Sequence, residues 1–328
     1  MSSTFSHGVG SASLTLESGK LAQQANGAAL IKYGDNVMLA TGTRGRPREG
    51  IDFFPLTIDF EERLYSRGKV PGSFFRREGR PSTHATLIAR LTDRPIRPLF
   101  PKGFKDEIQV ILTSLSTDME YPLDILGIIG ASTALCISDI PFDGPVGATR
   151  MGYVDGAFVV NPTFAQLEES QLDLIVAGTK NGVSMMEAGV QELSESLVLE
   201  GIERAQEINQ EVIRLQEDLV RAIGKPKTPF EAEVDTALEQ RVASTVNGGV
   251  GRILASARDV SDQESRLDSL KAEVVERLGE EYAAKDVQNT FRSLVDEAFR
   301  QQILDGGARP DGRRPREIRE ISSEVALL

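Results

Sequence analysis

The sequence has a single cysteine, Cys136, two histidines, His7 and His84, and no long uninterrupted apolar run. One thiol cannot close a disulfide within the chain. Cys136 lies inside the apolar stretch Ile125–Ile137, where it reads as a small core residue rather than a nucleophile. Small residues interrupt that stretch, and it falls short of the roughly 20 residues that a membrane-spanning helix needs. Neither histidine has a Cys or carboxylate at zinc-ligand spacing, which argues against a His-based metal site and against Ser-His-Asp catalysis. Missing too are GxxxxGK(S/T), a GxGxxG following a strand, and a GxSxG nucleophile elbow. Met1–Ser13 is polar, with no basic region leading into an apolar one, so no secretory signal is expected and a cytoplasmic location is.

With 328 residues the chain is too long for one ordinary core and calls for two or three domains. Its formal net charge is −12, which read as a whole speaks against a polyanionic ligand. The distribution says otherwise. Nine basic residues fall between Arg63 and Arg97: Arg63, Arg67, Lys69, Arg76, Arg77, Arg80, Arg90, Arg94 and Arg97. Only Glu78 and Asp93 oppose them, a local balance of +7, so the remainder carries −19. Concentrated arginine in an acidic protein points to an anionic ligand at that segment; the alternative is a solvated helix face neutralised by ion pairs.

The first half reads mainly as strands. Ala12–Leu16 alternates, and Ala28–Tyr33 and Val37–Thr43 flank the turn residues Gly34-Asp35-Asn36 as a hairpin. Asp52–Phe60 and Glu107–Leu115 are rich in β-branched and aromatic residues, with a helix over Thr83–Leu91 between them that Pro95 and Pro98 are expected to interrupt. Asp124–Ser138 reads as a buried helix whose Gly127, Gly130 and Ala131 allow close packing. After a Gly/Pro-rich joint at Pro141–Gly152, Tyr153–Val160 carries the hairpin signal Asp155-Gly156. Asn161-Pro162-Thr163 opens a short helix, and Leu172–Ala177 is a buried strand. From Leu193 a 3.6-residue apolar period runs as one long helix to Gly224, before Pro226 and Pro229. Phe230–Leu304 is helical with breaks at Asn247-Gly-Gly249 and Gly279, and Glu320–Leu328 reads as a strand opening a further domain.

The positive chemical signal is Gly68-Lys-Val-Pro-Gly-Ser-Phe-Phe-Arg-Arg-Glu-Gly-Arg-Pro-Ser82. Pro71, Gly72 and Gly79 make it a loop. Phenylalanine faces stack on bases of any sequence, at about 1–3 kcal/mol per base. Arginine forks take phosphate oxygens bidentately. Together they suit sequence-tolerant binding of single strands, with Phe74, Phe75, Arg76, Arg77, Arg80, Arg90, Arg94 and Arg97 as candidate contacts; the alternative packs the rings inward and pairs the arginines with carboxylates.

That loop, followed by Ile88-Ala-Arg-Leu-Thr-Asp-Arg-Pro-Ile-Arg-Pro-Leu-Phe-Pro101, resembles the corresponding region of the polynucleotide phosphorylase family. Asp52-Phe-Phe-Pro-Leu-Thr57, Ile128-Ile-Gly-Ala-Ser132, Asp139-Ile-Pro-Phe-Asp-Gly-Pro145 and Asp173-Leu-Ile-Val-Ala-Gly-Thr179 extend the resemblance in family order. It implies an α+β fold with an RNase PH-like (ribosomal protein S5 domain 2-like) βαβ core followed by an all-α domain. The implied layout is a first RNase PH-like domain with subdomains at 1–144 and 145–224, a helical domain at 225–307, and the start of a second RNase PH-like domain at 308–328. It further implies a homotrimeric ring that degrades RNA processively from the 3′ end with inorganic phosphate and Mg²⁺, with KH and S1 domains lying beyond Leu328. The family's catalytic pattern is an Asp, a second Asp six residues on, and a Lys two after that. Here those positions read Leu167, Asp173 and Ile175, and the serine-bearing turn before the matching helix reads Tyr121-Pro-Leu-Asp124. No catalytic residue is therefore expected in this chain, with Mg²⁺ held in the second core domain outside it and Asp173 structural. The rival readings are a non-catalytic RNA-binding scaffold and a relative that handles guanosine polyphosphates.

Overall fold

The computed structural model describes residues 2–47, 51, 53–72, 78–231, 235–256, 259–307, 309–314 and 316–326. Alternating apolar residues build the first sheet from β1 (Ser3–Val9), β2 (Ala12–Ser18), β3 (Gly27–Tyr33), β4 (Asn36–Arg44), β5 (Leu56–Glu61) and β6 (Ile108–Ser116). Leu14 and Leu16, Ile31 and Tyr33, Met38 and Ala40, and Ile108, Val110 and Leu112 all turn to its buried face. The strand order is β1-β2-β3-β4-β6-β5, antiparallel except for the parallel β5–β6 pair. A parallel neighbour requires a crossover, and α1 (Thr83–Ile96) lies within it. Ser82 caps α1 by accepting the Ala85 amide at 3.0 Å. The helix runs through Pro95, contrary to the expected break. Pro95 stands in the last turn, so the helix forfeits one hydrogen bond before continuing as a 3-10 turn at Arg97–Leu99.

Helix α2 (Asp124–Ile137) is buried at every position and packs on β3, β4 and α1. Its glycines set how close it comes: a Cβ at Gly130 would meet Ala40 Cβ at 3.0 Å and Ile31 Cδ1 at 3.1 Å. The second sheet, ordered β10-β9-β7-β8, is antiparallel: β7 (Gly147–Val154), β8 (Ala157–Val160), β9 (Leu172–Thr179) and β10 (Gly182–Val190). Asp155 (φ 49°) and Gly156 (φ 79°) make the β7–β8 turn, both left-handed as a type I′ turn requires. Thr163 caps the short α3 (Phe164–Glu169). The long α4 (Glu195–Ile223) lies across β7, β9, β1 and β2. Polar groups that its burial would orphan are paired: Gln216 takes Ser132 Oγ at 2.7 Å and gives to the Val146 carbonyl at 2.8 Å, while Asn209 takes Thr149 Oγ1 at 2.8 Å.

Residues 147–152, expected as part of the Gly/Pro-rich joint, are instead the greater part of β7, and β1 and β10 leave little pattern in the sequence. β1 falls within the segment taken as polar, and its burial is confined to Val9 with Phe5 partly covered. β10 is a sheet edge with most of its residues exposed, so its alternation is faint.

The first compact unit extends past α4 to Ala232. The Lys225 amide binds the Ile137 carbonyl (3.0 Å), the Thr228 amide that of Asp139 (2.8 Å), and Lys227 Nζ those of Leu135 (2.7 Å) and Ser138 (2.9 Å). A second unit, Glu233–Leu328, contains α5 (Thr236–Val246), α6 (Gly249–Ser256), α7 (Val260–Leu278) and α8 (Ala284–Gly306) around Leu238, Val242, Val274, Leu278, Val287 and Phe291. Asn247 and Gly248, both at positive φ, make the expected first break. Residues 320–326 form no strand: they are exposed, and no described strand runs beside them to take their hydrogen bonds. No helix among the described residues is long and apolar enough to cross a membrane.

Candidate nucleic-acid interface

The arginine-rich segment leaves the C-terminal end of β5, passes through a 3-10 turn at Leu64–Arg67 closed by Gly68 at φ 66°, and returns to the α1 N-terminus. Phe74, Phe75, Arg76 and Arg77 lie outside the described residues. The remaining cations separate into two groups. Arg63 is committed to Glu61 and, at 2.8 Å, to Glu78, whose carboxylate foremost holds its guanidinium above the ordinary arginine pKa. Arg94 reaches Glu187 on β10 at 2.5 Å. Arg97 grips Asp93 bidentately (2.8 and 2.7 Å) and donates to the Phe54 and Leu56 carbonyls at 3.1 Å each, pinning the approach to β5 against α1.

The second group faces solvent. Lys69, Arg80 and Arg90 are exposed and make no ion pair among the described residues. Arg67 is exposed in the field of Glu62. Counting acids inside the segment thus overstated its free charge, because Glu61 and Glu187 come from outside it. The fold leaves Arg67, Lys69, Arg80 and Arg90 facing solvent, and spends Arg63, Arg94 and Arg97 on holding the frame, with the last two still half-exposed.

Asp173, on β9, is held by Arg150 of β7: Nε and Nη2 each donate to one carboxylate oxygen at 2.7 Å. Arg150 Nη1 donates to Asp124 Oδ2, at the α2 N-terminus, also at 2.7 Å. Arg150 side-chain exposure is 14% and that of Asp124 13%, so that pair is largely dry, while Asp173 is 44% exposed. Burial works against the charged guanidinium, yet the hydrogen bonds and charges of Asp173 and Asp124 outweigh it and raise its pKa. The pair does not fit a magnesium ion, since the oxygens facing each other are already filled by a guanidinium, and no cluster of metal-binding side chains occurs among the described residues. Arg150 was missed from sequence because its partners lie 26 and 23 residues away. Glu78 did leave a signal, as a lone acid amid arginines.

Of the histidines, His7 pairs with Glu211 and His84 with Glu62, each at 3.0 Å. Cys136 is buried, and burial pushes its thiol up to about 12.

Residues 12–141 match the family described as 3′ exoribonuclease family, domain 1, and residues 144–208 its domain 2. Residues 237–314 match the polyribonucleotide nucleotidyltransferase RNA binding domain. A polyribonucleotide nucleotidyltransferase of Dehalococcoides mccartyi is 45% identical over 327 residues, covering 99% of this chain and 45% of that protein. That of Chloroflexus aggregans is 47% identical over 334 residues, covering 99% and 44%. The chain therefore spans less than half the length of these curated relatives. Among solved structures, rice (Oryza sativa) Rrp46 superposes with a TM-score of 0.51 at 16% identity, over 65% of this chain and 96% of that one, a likeness of fold.

Proposed function

Because the chain belongs to the polyribonucleotide nucleotidyltransferase family, we propose that it supplies the scaffold and the RNA-guiding surface of a processive, phosphorolytic 3′-to-5′ exoribonuclease whose active centre lies in residues outside it. In this reading 1–144 and 145–224 are the two halves of the first RNase PH-like domain, 225–307 is the helical domain, and 308–328 opens the second core domain. That second domain holds Mg²⁺ and inorganic phosphate, the assembly is a homotrimer working in the cytoplasm, and RNA is shortened with release of nucleoside diphosphates. The observation that supports an RNA role is the group of exposed cations with no ion pair among the described residues, Lys69, Arg80 and Arg90. An exposed guanidinium without a protein carboxylate keeps its fork free for phosphodiester oxygens. Arg76 and Arg77 add phosphate contacts, and Phe74 and Phe75 stack on bases. Support for placing the chemistry elsewhere comes from Arg150, which occupies Asp173, the one carboxylate left where the family's catalytic Asp pattern aligns.

The test is RNA affinity of the Arg80→Ala/Arg90→Ala variant, measured over a salt series with an oligoadenylate. If each arginine neutralises one phosphate, the slope of log affinity against log salt falls by about 1.4 for a single strand. Unchanged affinity and slope would remove this edge from the RNA path.

A further inference from the structure

Carboxylates are out of place on a surface that binds a polyanion, yet Glu62 and Glu78 sit among these cations. Both are fully engaged, and their bonds cross. Glu78, at the C-terminal flank of the segment, reaches back to its start: Oε1 accepts the Leu64 amide at 2.6 Å and Oε2 accepts Arg63 Nη1 at 2.8 Å. Glu62, at the N-terminal flank, reaches forward to its end: Oε2 accepts Ser82 Oγ at 2.6 Å and Oε1 meets His84 Nδ1 at 3.0 Å. Each flank therefore holds the other through a charged acceptor. The near flank is fixed further by the Gly68 and Lys69 amides, which bind the Tyr65 and Leu64 carbonyls at 2.9 and 3.0 Å, and by the Thr117 amide, which binds the Ser66 carbonyl at 3.1 Å. Ser82 is also the cap of α1, so the second link is carried into the helix that bears Arg90.

We infer that Glu62 and Glu78 are positioning residues, which clamp the flanks 64–72 and 78–84 together so that Arg67, Lys69, Arg80 and Arg90 stand in one fixed array for RNA. This rests on the RNA reading above and adds to it the residues that pre-organise the contact. Ordering two flanks before binding removes a conformational cost otherwise met when RNA arrives. The acids repel phosphate, but their oxygens already accept hydrogen bonds from donors on the opposite flank. Both are held below the ordinary glutamate pKa: Glu78 by Arg63 foremost, and Glu62 against its burial by Ser82 and His84. They are ionised at neutral pH.

Position and charge predict opposite signs. By charge alone, removing either carboxylate tightens RNA, and Glu78→Ala and Glu78→Gln behave alike because both delete one negative charge. By position, Glu78→Ala weakens binding by about tenfold, the ratio set by losing one charge-assisted hydrogen bond. Glu78→Gln, which keeps an acceptor for the Leu64 amide, weakens it less, and Glu62→Ala follows Glu78→Ala. The experiment measures anisotropy of a labelled oligoadenylate with the full chain, for these variants and for Arg80→Ala/Arg90→Ala. Thermal midpoints check folding, and Glu62→Gln replaces Glu62→Ala if that variant is not folded. Tighter or unchanged binding in the Glu variants, while the Arg variant weakens, overturns the clamp and leaves the RNA reading standing. Unchanged binding in the Arg variant overturns both.

Discussion

Replacing Arg150 with methionine tests whether the Asp124–Arg150–Asp173 triad is a structural fixture. Methionine fills much of the same volume but donates nothing, so three hydrogen bonds of 2.7 Å vanish and two carboxylates lose their cation. The two acids do not suffer equally. Asp173 is 44% exposed and recovers hydration, whereas Asp124, at 13%, stays largely dry. Asp124 keeps its bond to the Ile125 amide (2.8 Å) and its favourable place at a helix N-terminus, which limits the loss. Breaking a buried pair by removing one partner costs about 3–5 kcal/mol, and the exposed Asp173 argues for the lower end. For a unit of this size about 3 kcal/mol lowers the midpoint by roughly 6–12 °C. Tyrosine fluorescence is a suitable probe, because Tyr33, Tyr65, Tyr121 and Tyr153 lie in the first unit and only Tyr282 in the second. Adding Asp124→Asn and Asp173→Asn to Arg150→Met should recover much of the loss, since no unpaired charge then remains buried. A midpoint for Arg150→Met within the error of the unsubstituted chain would refute the reasoning.

Cys136 should resist alkylation in the native chain at pH 8 and react at once when unfolded, since burial holds its thiol near 12; stoichiometric labelling of native protein would contradict its place in the core. Acid should destabilise the first unit through Asp139 and Glu17. The Asn26 hydrogen bond (2.9 Å) foremost depresses Asp139, and Lys32 and Ser2 depress Glu17 against its burial. Both folded values lie below the ordinary 3.8 and 4.5, so their contribution is complete above those values and is lost as pH falls through the lower, folded ones. Urea midpoints should therefore be level near neutrality and fall steeply below about pH 4, with Asp139→Asn flattening the fall; equal slopes in both proteins would remove Asp139 from that account.

What could be read from the sequence depended on whether the signal was local. α2 and α4 were evident because their apolar residues recur within a few positions, and the β7–β8 turn because Asp155-Gly156 alone demands left-handed backbone. β1 and β10 were not, since an edge strand with one solvated face carries little hydrophobic contrast. The arginine-rich segment shows the same division. Its charge was obvious, but Arg94 is answered by Glu187, 93 residues away, and no window of sequence contains both. Pro95 shows a local rule applied too strongly, because a proline in the last turn of a helix costs far less than one in its middle. The family resemblance carried the α+β fold class; composition and spacing alone reached only a binding module.

In the proposed function this chain holds RNA without cutting it. The direct measurement incubates the purified chain with poly(A), inorganic phosphate and Mg²⁺, and follows ADP release alongside RNA binding in the same buffer. The expected result is bound RNA of unchanged length and no ADP above the protein-free control. Phosphate-dependent ADP release by the chain, abolished by Asp173→Asn, would place an active centre where the Arg150 triad now stands and contradict it.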